Sequence, residues 1–248
     1  PSGLHVYPGD ANDGSTLTGS LQFLESLVIH DGATFNIDNA NIGFIENKGI
    51  NILPGARLTI TDTHLKNLDC ADHWRGVYVY GNSNYSQSGQ DVYEQGRCYL
   101  ENVEIENAVS GITNYGSPYY NSSNHGGIIK ALDVTFKNCR ISTDIRNYQN
   151  MVNGSLTPIR CEFYNCNYIW DNDFQFVDDI ENPMVNLQHV FRVKFSGCKF
   201  INTHPGLFST PNNHYRKAAI YANQASINMS SGCSGPPPYL INTDGSCQ

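Results

Sequence analysis

Apolar and polar residues alternate along this chain in short runs, and each run changes phase at an Asn, Asp or Gly. In "VTFKNCRIS", residues 134–142, apolar side chains stand at Val134 and Phe136, then at Cys139 and Ile141. A period of two marks a strand with one buried face. The change of parity at Asn138 marks a bend, and a left-handed backbone position selects Asn or Gly. The unit is therefore predicted to be strand, bend, strand.

The unit occurs six times. It begins at Ile37, Ile60, Ile105, Phe136, Phe163 and Phe195, with Asn39, Asp62, Asn107, Asn138, Asn165 and Gly197 at the bends. Successive copies start 23, 45, 31, 27 and 32 residues apart. Two further elements recur with it. Asp31-Gly32-Ala33 matches Pro54-Gly55-Ala56, and Gly precedes β-branched residues at Gly49, Gly76, Gly111 and Gly127. Such spacing makes each unit one coil of a solenoid whose successive coils pair in parallel about 4.8 Å apart. The variable intervals place insertions in loops, near residues 81–96, 114–125, 171–188 and 204–216. Helical repeats fit poorly, because the units are β-branched and aromatic with frequent Asn and Gly.

The expected fold is all-β, a solenoid of roughly six or seven coils with long inserted loops. One domain spans 1–248, with a cap at 1–20, coils over 21–229 and a Cys-bracketed tail at 230–248. Solenoid ends must hide their apolar faces. Read in one register, Asn39, Asn107, Asn138 and Asn165 are structural bend residues, and Cys139, Cys166 and Cys198 stack inside as small apolar side chains.

Composition narrows function. Only 15% of residues are charged and the net charge is −8, which argues against nucleic acid, since phosphate binding needs clustered Lys and Arg. A polyanionic sugar needs only one local basic cluster. No run of about 18 apolar residues predicts a membrane span. The chain opens at Pro1 without a signal peptide, which reads as a mature product or an excised piece. Eight cysteines fit an oxidising compartment and show no zinc spacing. Cys70 and Cys98 flank the longest excursion, and Cys233 and Cys247 bracket the tail. Each pair is a candidate disulfide. The Asn-x-Ser sequons at Asn84, Asn121, Asn153 and Asn228 are what an Asn- and Ser-rich chain generates by chance.

The bend asparagines resemble the asparagine ladder of right-handed parallel β-helices of the pectate-lyase type. "PGARLTITDTHL" (54–65), "WRGVYVYGNSN" (74–84), "LENVEIENAVSGI" (100–112) and "GGIIKALDVTFKNCRI" (126–141), in that order, are similar to β-helix segments of large surface proteins exported by the type IX system of Bacteroidota. The likeness spans about residues 33–201. It implies a single-stranded right-handed parallel β-helix, and an extracellular or cell-surface location. No type IX sorting domain is visible, so the likeness implies an internal or processed piece.

Candidate chemistry lies in the loops. "PGDANDG" (8–14) begins like a calcium loop, but Gly14 stands where an acid is expected, so a turn is preferred. The acidic stretch around Asp171, Asp173, Asp178 and Asp179 is the best calcium candidate. β-Helix lyases use calcium with an Arg or Lys base, and Arg146, Arg160, Arg192 and Lys217 are available. A glycosidase needs two carboxylates, and Asp144 has no acidic counterpart in the next coils. His125, His189, His204 and His214 sit in or beside loops. Tyr85, Tyr93, Tyr115, Tyr119, Tyr120, His214 and Tyr215 suit a sugar or protein surface if the loops project from one flank.

The expected function is a non-catalytic extracellular surface module of an adhesin, surface layer or filament. It presents loops to a glycan or protein, requires no cofactor and can associate end to end. The alternative is a polysaccharide lyase or glycoside hydrolase on an acidic glycan, for which Ca2+ is the candidate ion.

Overall fold

The computed structural model describes residues 3–68, 73–116, 118–119, 121, 123–176, 182–204 and 219–230. The chain passes eight times between two long parallel sheets. The first pass comprises β1 (His5–Val6) and β2 (Thr16–Phe23), the second β3 (Leu27–Ile29) and β4 (Thr34–Phe44), the third β5 (Gly49–Ile52) and β6 (Arg57–Asn67), and the fourth β7 (Trp74–Val79) and β8 (Arg97–Glu106). The fifth has β9 (Ala108–Thr113), β10 (Ile128–Leu132) and β11 (Thr135–Lys137). The sixth has β12 (Ile141–Arg146), a small antiparallel hairpin of β13 (Asn150–Val152) and β14 (Ser155–Thr157), then β15 (Cys161–Tyr164) and β16 (Asn167–Trp170). The seventh has β17 (Val185–Gln188), β18 (Val193–Ser196) and β19 (Lys199–Asn202), and the eighth β20 (Ile220–Asn223) and β21 (Ile227–Ser230).

The first sheet runs β1-β3-β5-β7-β9-β12-β17-β20. The second stacks the remaining strands apart from the β13–β14 hairpin and bends along its middle. β8 pairs with β10 through its first half and with β11 through its second. The architecture is all-β and parallel, and the sheets do not close into a barrel. Residues 1–20, expected as a cap, contribute β1 and most of β2, both paired in parallel with the next pass. The alternating pattern of the first pass was too polar to show as a repeat copy.

Three inward columns fill the interior. Ile37, Ile60, Leu100, Ala131, Phe163 and Phe195 are successive neighbours, as are Ile42, Leu65, Ile105, Phe136, Tyr168 and Phe200. Leu27, Ile50, Val77 and Ile112 line up from the first sheet. Aromatic residues at equal positions stack, with centroids 4.9 Å apart for Phe163–Phe195 and 5.1 Å for Phe136–Tyr168. That is the offset of parallel strands, so each ring lies on the ring of the next pass.

The single register predicted for the bends is corrected by these pairings. Asn39, Asp62, Asn102, Asp133, Asn165 and Gly197, all at positive φ, form one corner inside the second sheet. Asn107 and Asn138 (φ 56 and 52) form another, where the second sheet hands over to the first. Side chains link that second corner. Asn107 Nδ2 donates to Asn67 Oδ1 at 3.1 Å, and Asn138 Nδ2 to Asp171 Oδ1 at 2.7 Å. The fourth pass (Asn102 and Asn107) and the fifth (Asp133 and Asn138) bend at both corners with this left-handed device, so the motif can occur at two places in a coil. The cysteines divide likewise. Cys166 and Cys198 are neighbours by register, whereas Cys139 follows Asn138 at the other corner. All three are buried free thiols.

Gly76, within β7 where its register against β9 shifts, sits at φ +102, and a Cβ there would collide with the Ser110 carbonyl. That contact explains the Gly before the β-branched pair. In "PGDANDG" the carboxylates cap backbone N–H groups. Asp10 accepts from Tyr7, Asn12 and Asp13, and Asp13 from Gly9 and Thr34. The segment is the turn that the sequence indicated.

Candidate functional site

Three insertions leave the same corner, between the first-sheet strand and the second-sheet strand of passes four, five and six. Buried Gln87 joins them. Its N–H donates to Asn150 Oδ1 (2.7 Å), its Nε2 to the Gly126 carbonyl (2.7 Å), and its Oε1 accepts from the Arg160 N–H. The tyrosines proposed for ligand contact have separate partners in this lobe. Tyr85 accepts the Tyr148 hydroxyl on its carbonyl (2.8 Å), Tyr93 stacks on Arg97, Tyr115 lies under Arg146, and Tyr119 meets Tyr80 edge-on. Tyr85 and Tyr93 are exposed residues, at 43% and 58%. Tyr120, His214 and Tyr215 lie outside the described residues. So do Asp178, Asp179, Cys70, Cys233 and Cys247. Cys98 is a free thiol fully buried at an inward position opposite Leu58. Although it follows the loop closely, it is a core residue of β8 with its thiol free inside the stack, which corrects its assignment to a bridge with Cys70.

On the outer face of the first sheet, Asn51, Tyr78, Thr113, Asp144, Asn186 and Tyr221 are aligned by register. Asp144 is 4% exposed. Its Oδ1 accepts from Arg146 Nε at 2.6 Å and Asn186 Nδ2 at 2.9 Å. Burial holds its carboxyl above the usual carboxylate range, although Arg146 and Asn186 pull it back. The positions beside it carry Thr113 and Asn186, not a second acid.

Two features mark the outer face of the second sheet. Across its first half runs a groove of about 280 Å³ lined by Thr59, Tyr99, Lys130, Leu132, Glu162 and Tyr164, among others. Arg57 lies over Tyr99 at 5.1 Å and Lys194 over Tyr164 at 4.8 Å, so cations flank both rings. Lys130 pairs with Glu162 at 3.5 Å. The two tyrosines are on strands separated by β10, about 10 Å across the sheet.

The second half carries a charged row. His64 Nε2 lies 3.4 Å from Glu104 Oε1 and 3.2 Å from Glu106 Oε2. Lys137 Nζ lies 2.9 Å from Glu106 Oε1 and 3.7 Å from Asp171 Oδ2. The His64 hydrogen bond, helped by Lys137, lowers the Glu106 pKa to about 2. Asp171 thus faces an ammonium, and its Oδ1 also accepts from Asn138 and from the Asp173 N–H at 2.9 Å. Asp171 belongs to the corner ladder through Asn138, with Lys137 standing between it and the Glu106 carboxylate. Asp173 is an exposed turn residue.

Sequence reasoning missed His64, Glu104 and Glu106. Aligning the repeat copies at Ile60 and Ile105 sets Leu65 against Ser110, whereas the strands pair Leu65 with Ile105 and His64 with Glu104. The outward alternation in "VEIEN" was the usable signal. No helix among the described residues is long and apolar enough to cross a membrane. Comparison with family models, curated proteins and solved structures gives no match.

Proposed function

We propose that the two-sheet stack is a right-handed parallel β-helix, and that the protein is a non-catalytic extracellular surface module binding glycan on the outer face of its second sheet. Alternation of successive strands between two parallel sheets supports the winding, and parallel crossovers are overwhelmingly right-handed. The low charge and the resemblance of residues 33–201 to segments of exported surface proteins support the location. The binding reading rests on one observation, the groove between Tyr99 and Tyr164 with Arg57, Lys130 and Lys194 along it. Aromatic faces stack on the apolar faces of sugar rings while the cations face carboxylates.

A second reading, a lyase or hydrolase on an acidic glycan, is favoured by the buried Asp144 beside Arg146, since perturbed acids cluster at active sites. One experiment separates the two. The protein is titrated with uronate-containing polysaccharides while binding heat and the absorbance of unsaturated products are followed. The proposal expects binding without turnover, weakened about three- to tenfold by Tyr99→Ala or Tyr164→Ala. Turnover that disappears in Asp144→Asn establishes the second reading instead. Binding that ignores both tyrosine variants refutes the groove.

A further inference from the structure

We infer that His64, Glu104 and Glu106 form a surface site for a divalent transition-metal ion of the zinc type, which clips the third pass to the fourth. His64 stands on β6 directly opposite Glu104 on β8, and Glu106 follows two residues on, on the same outer face. Their three donor atoms all lie within 4.8 Å of one another, and no other such trio occurs among the described residues. The spacing suits coordination. An ion with bonds of about 2.0–2.2 Å in tetrahedral geometry sets its donors about 3.3–3.5 Å apart. Nε2 is already 3.4 Å from Glu104 Oε1 and 3.2 Å from Glu106 Oε2.

The chemistry of the donors selects the ion. One imidazole nitrogen with two carboxylates suits zinc and its neighbours, whereas calcium takes six to eight oxygens. Three protein ligands at a half-exposed surface leave a fourth position for water or a ligand atom. The surroundings also hold one donor in place. Lys137 engages Glu106 Oε1, which leaves Oε2 turned to His64, and the Trp74 indole donates to the Glu106 carbonyl at 2.7 Å. Outer contacts of this kind fix the orientation of a ligating side chain. Without an ion the same groups form an ordinary ion-pair row, so the claim concerns what a metal does to that row.

The ion bridges two strands that already pair in parallel, so binding raises stability by mass action and leaves the sheet unchanged. The site is independent of the glycan groove, which lies over the other half of β8.

The test uses the full chain, stripped of metal and titrated with Zn2+ by calorimetry, with thermal melting and the ring resonances of His64 as further readouts. One equivalent of Zn2+ is expected to bind, to raise the melting temperature and to shift the His64 signals. Ca2+ is expected to do none of these. His64→Ala and Glu104→Gln are surface changes whose fold is checked by circular dichroism, and each is expected to weaken binding by more than about tenfold. Undiminished Zn2+ binding by His64→Ala places the ion elsewhere and overturns the inference. So does the absence of saturable binding, or Ca2+ binding at these residues in preference to Zn2+.

Discussion

Asn138 and Asn165 occupy the same place in "FKNC" and "FYNC", yet their replacement by Ala should have unequal costs. Both hold positive φ, 52 and 53, so each loses about 1 kcal/mol when a residue less tolerant of the left-handed region replaces Asn. Asn165 is exposed, and its cost ends near that figure. Asn138 is fully buried. Its Nδ2 donates to the Asp171 carboxylate at 2.7 Å, and its Oδ1 accepts from the Asp171 N–H at 3.0 Å. A hydrogen bond to a charged group contributes about 1.5–3 kcal/mol and a neutral one about 0.5–1.5 kcal/mol. Asp171 keeps Lys137 and the Asp173 N–H as partners, which offsets part of the loss. The expected cost of Asn138→Ala is therefore about 2–4 kcal/mol, against about 1 kcal/mol for Asn165→Ala. Urea unfolding followed by circular dichroism measures both. Asn138→Gly supplies the control, since Gly restores the backbone but not the side-chain bonds, and it should recover only about 1 kcal/mol. Equal costs at the two positions, or full recovery by Gly, would refute the distinction between the corners.

Phe163→Ala should destabilise by about 3–5 kcal/mol, because its ring is fully buried and stacked on Phe195, and the same urea series reads it. The thiols of Cys139 and Cys161, pushed up to about 12 by burial, should resist alkylation in native buffer and react once urea unfolds the chain, as mapped by mass spectrometry. Asp144 should make stability fall as pH rises. Its folded pKa is raised above the unfolded value of about 3.9, so the native state binds the extra proton within that window and loses the advantage as pH climbs through the folded pKa. Asp144→Asn should flatten that part of the profile, and unfolding midpoints at pH 4 and pH 7 in both proteins would show whether it does.

Much of the strand pattern was legible because alternation and left-handed bends are local. Val134, Phe136 and Phe163 are buried where period two placed them, and Asn39, Asn107, Asn138 and Asn165 take positive φ. The charged row was not legible. His64 and Glu104 are forty residues apart in the chain and meet only through strand register. Asp144 had no acidic counterpart by offset along the chain, but its neighbour proved to be Asn186 across the sheet. The loop tyrosines were seen as a group, and the lobe gives Tyr85, Tyr93, Tyr115 and Tyr119 different neighbours.

The sequence by itself determined that this chain is built of strands bent at Asn, Asp and Gly, with one apolar face turned inward. Steric limits on φ and the two-residue period of a strand act within a few residues, so they can be read without the rest of the molecule. Only the tertiary structure decided which of two corners each bend occupies, which thiols become neighbours and which charges meet outside. Those depend on the register between strands, set by hydrogen bonds and stacked side chains from passes far apart in the chain, and two corners made by the same local device are indistinguishable until the passes are laid on one another.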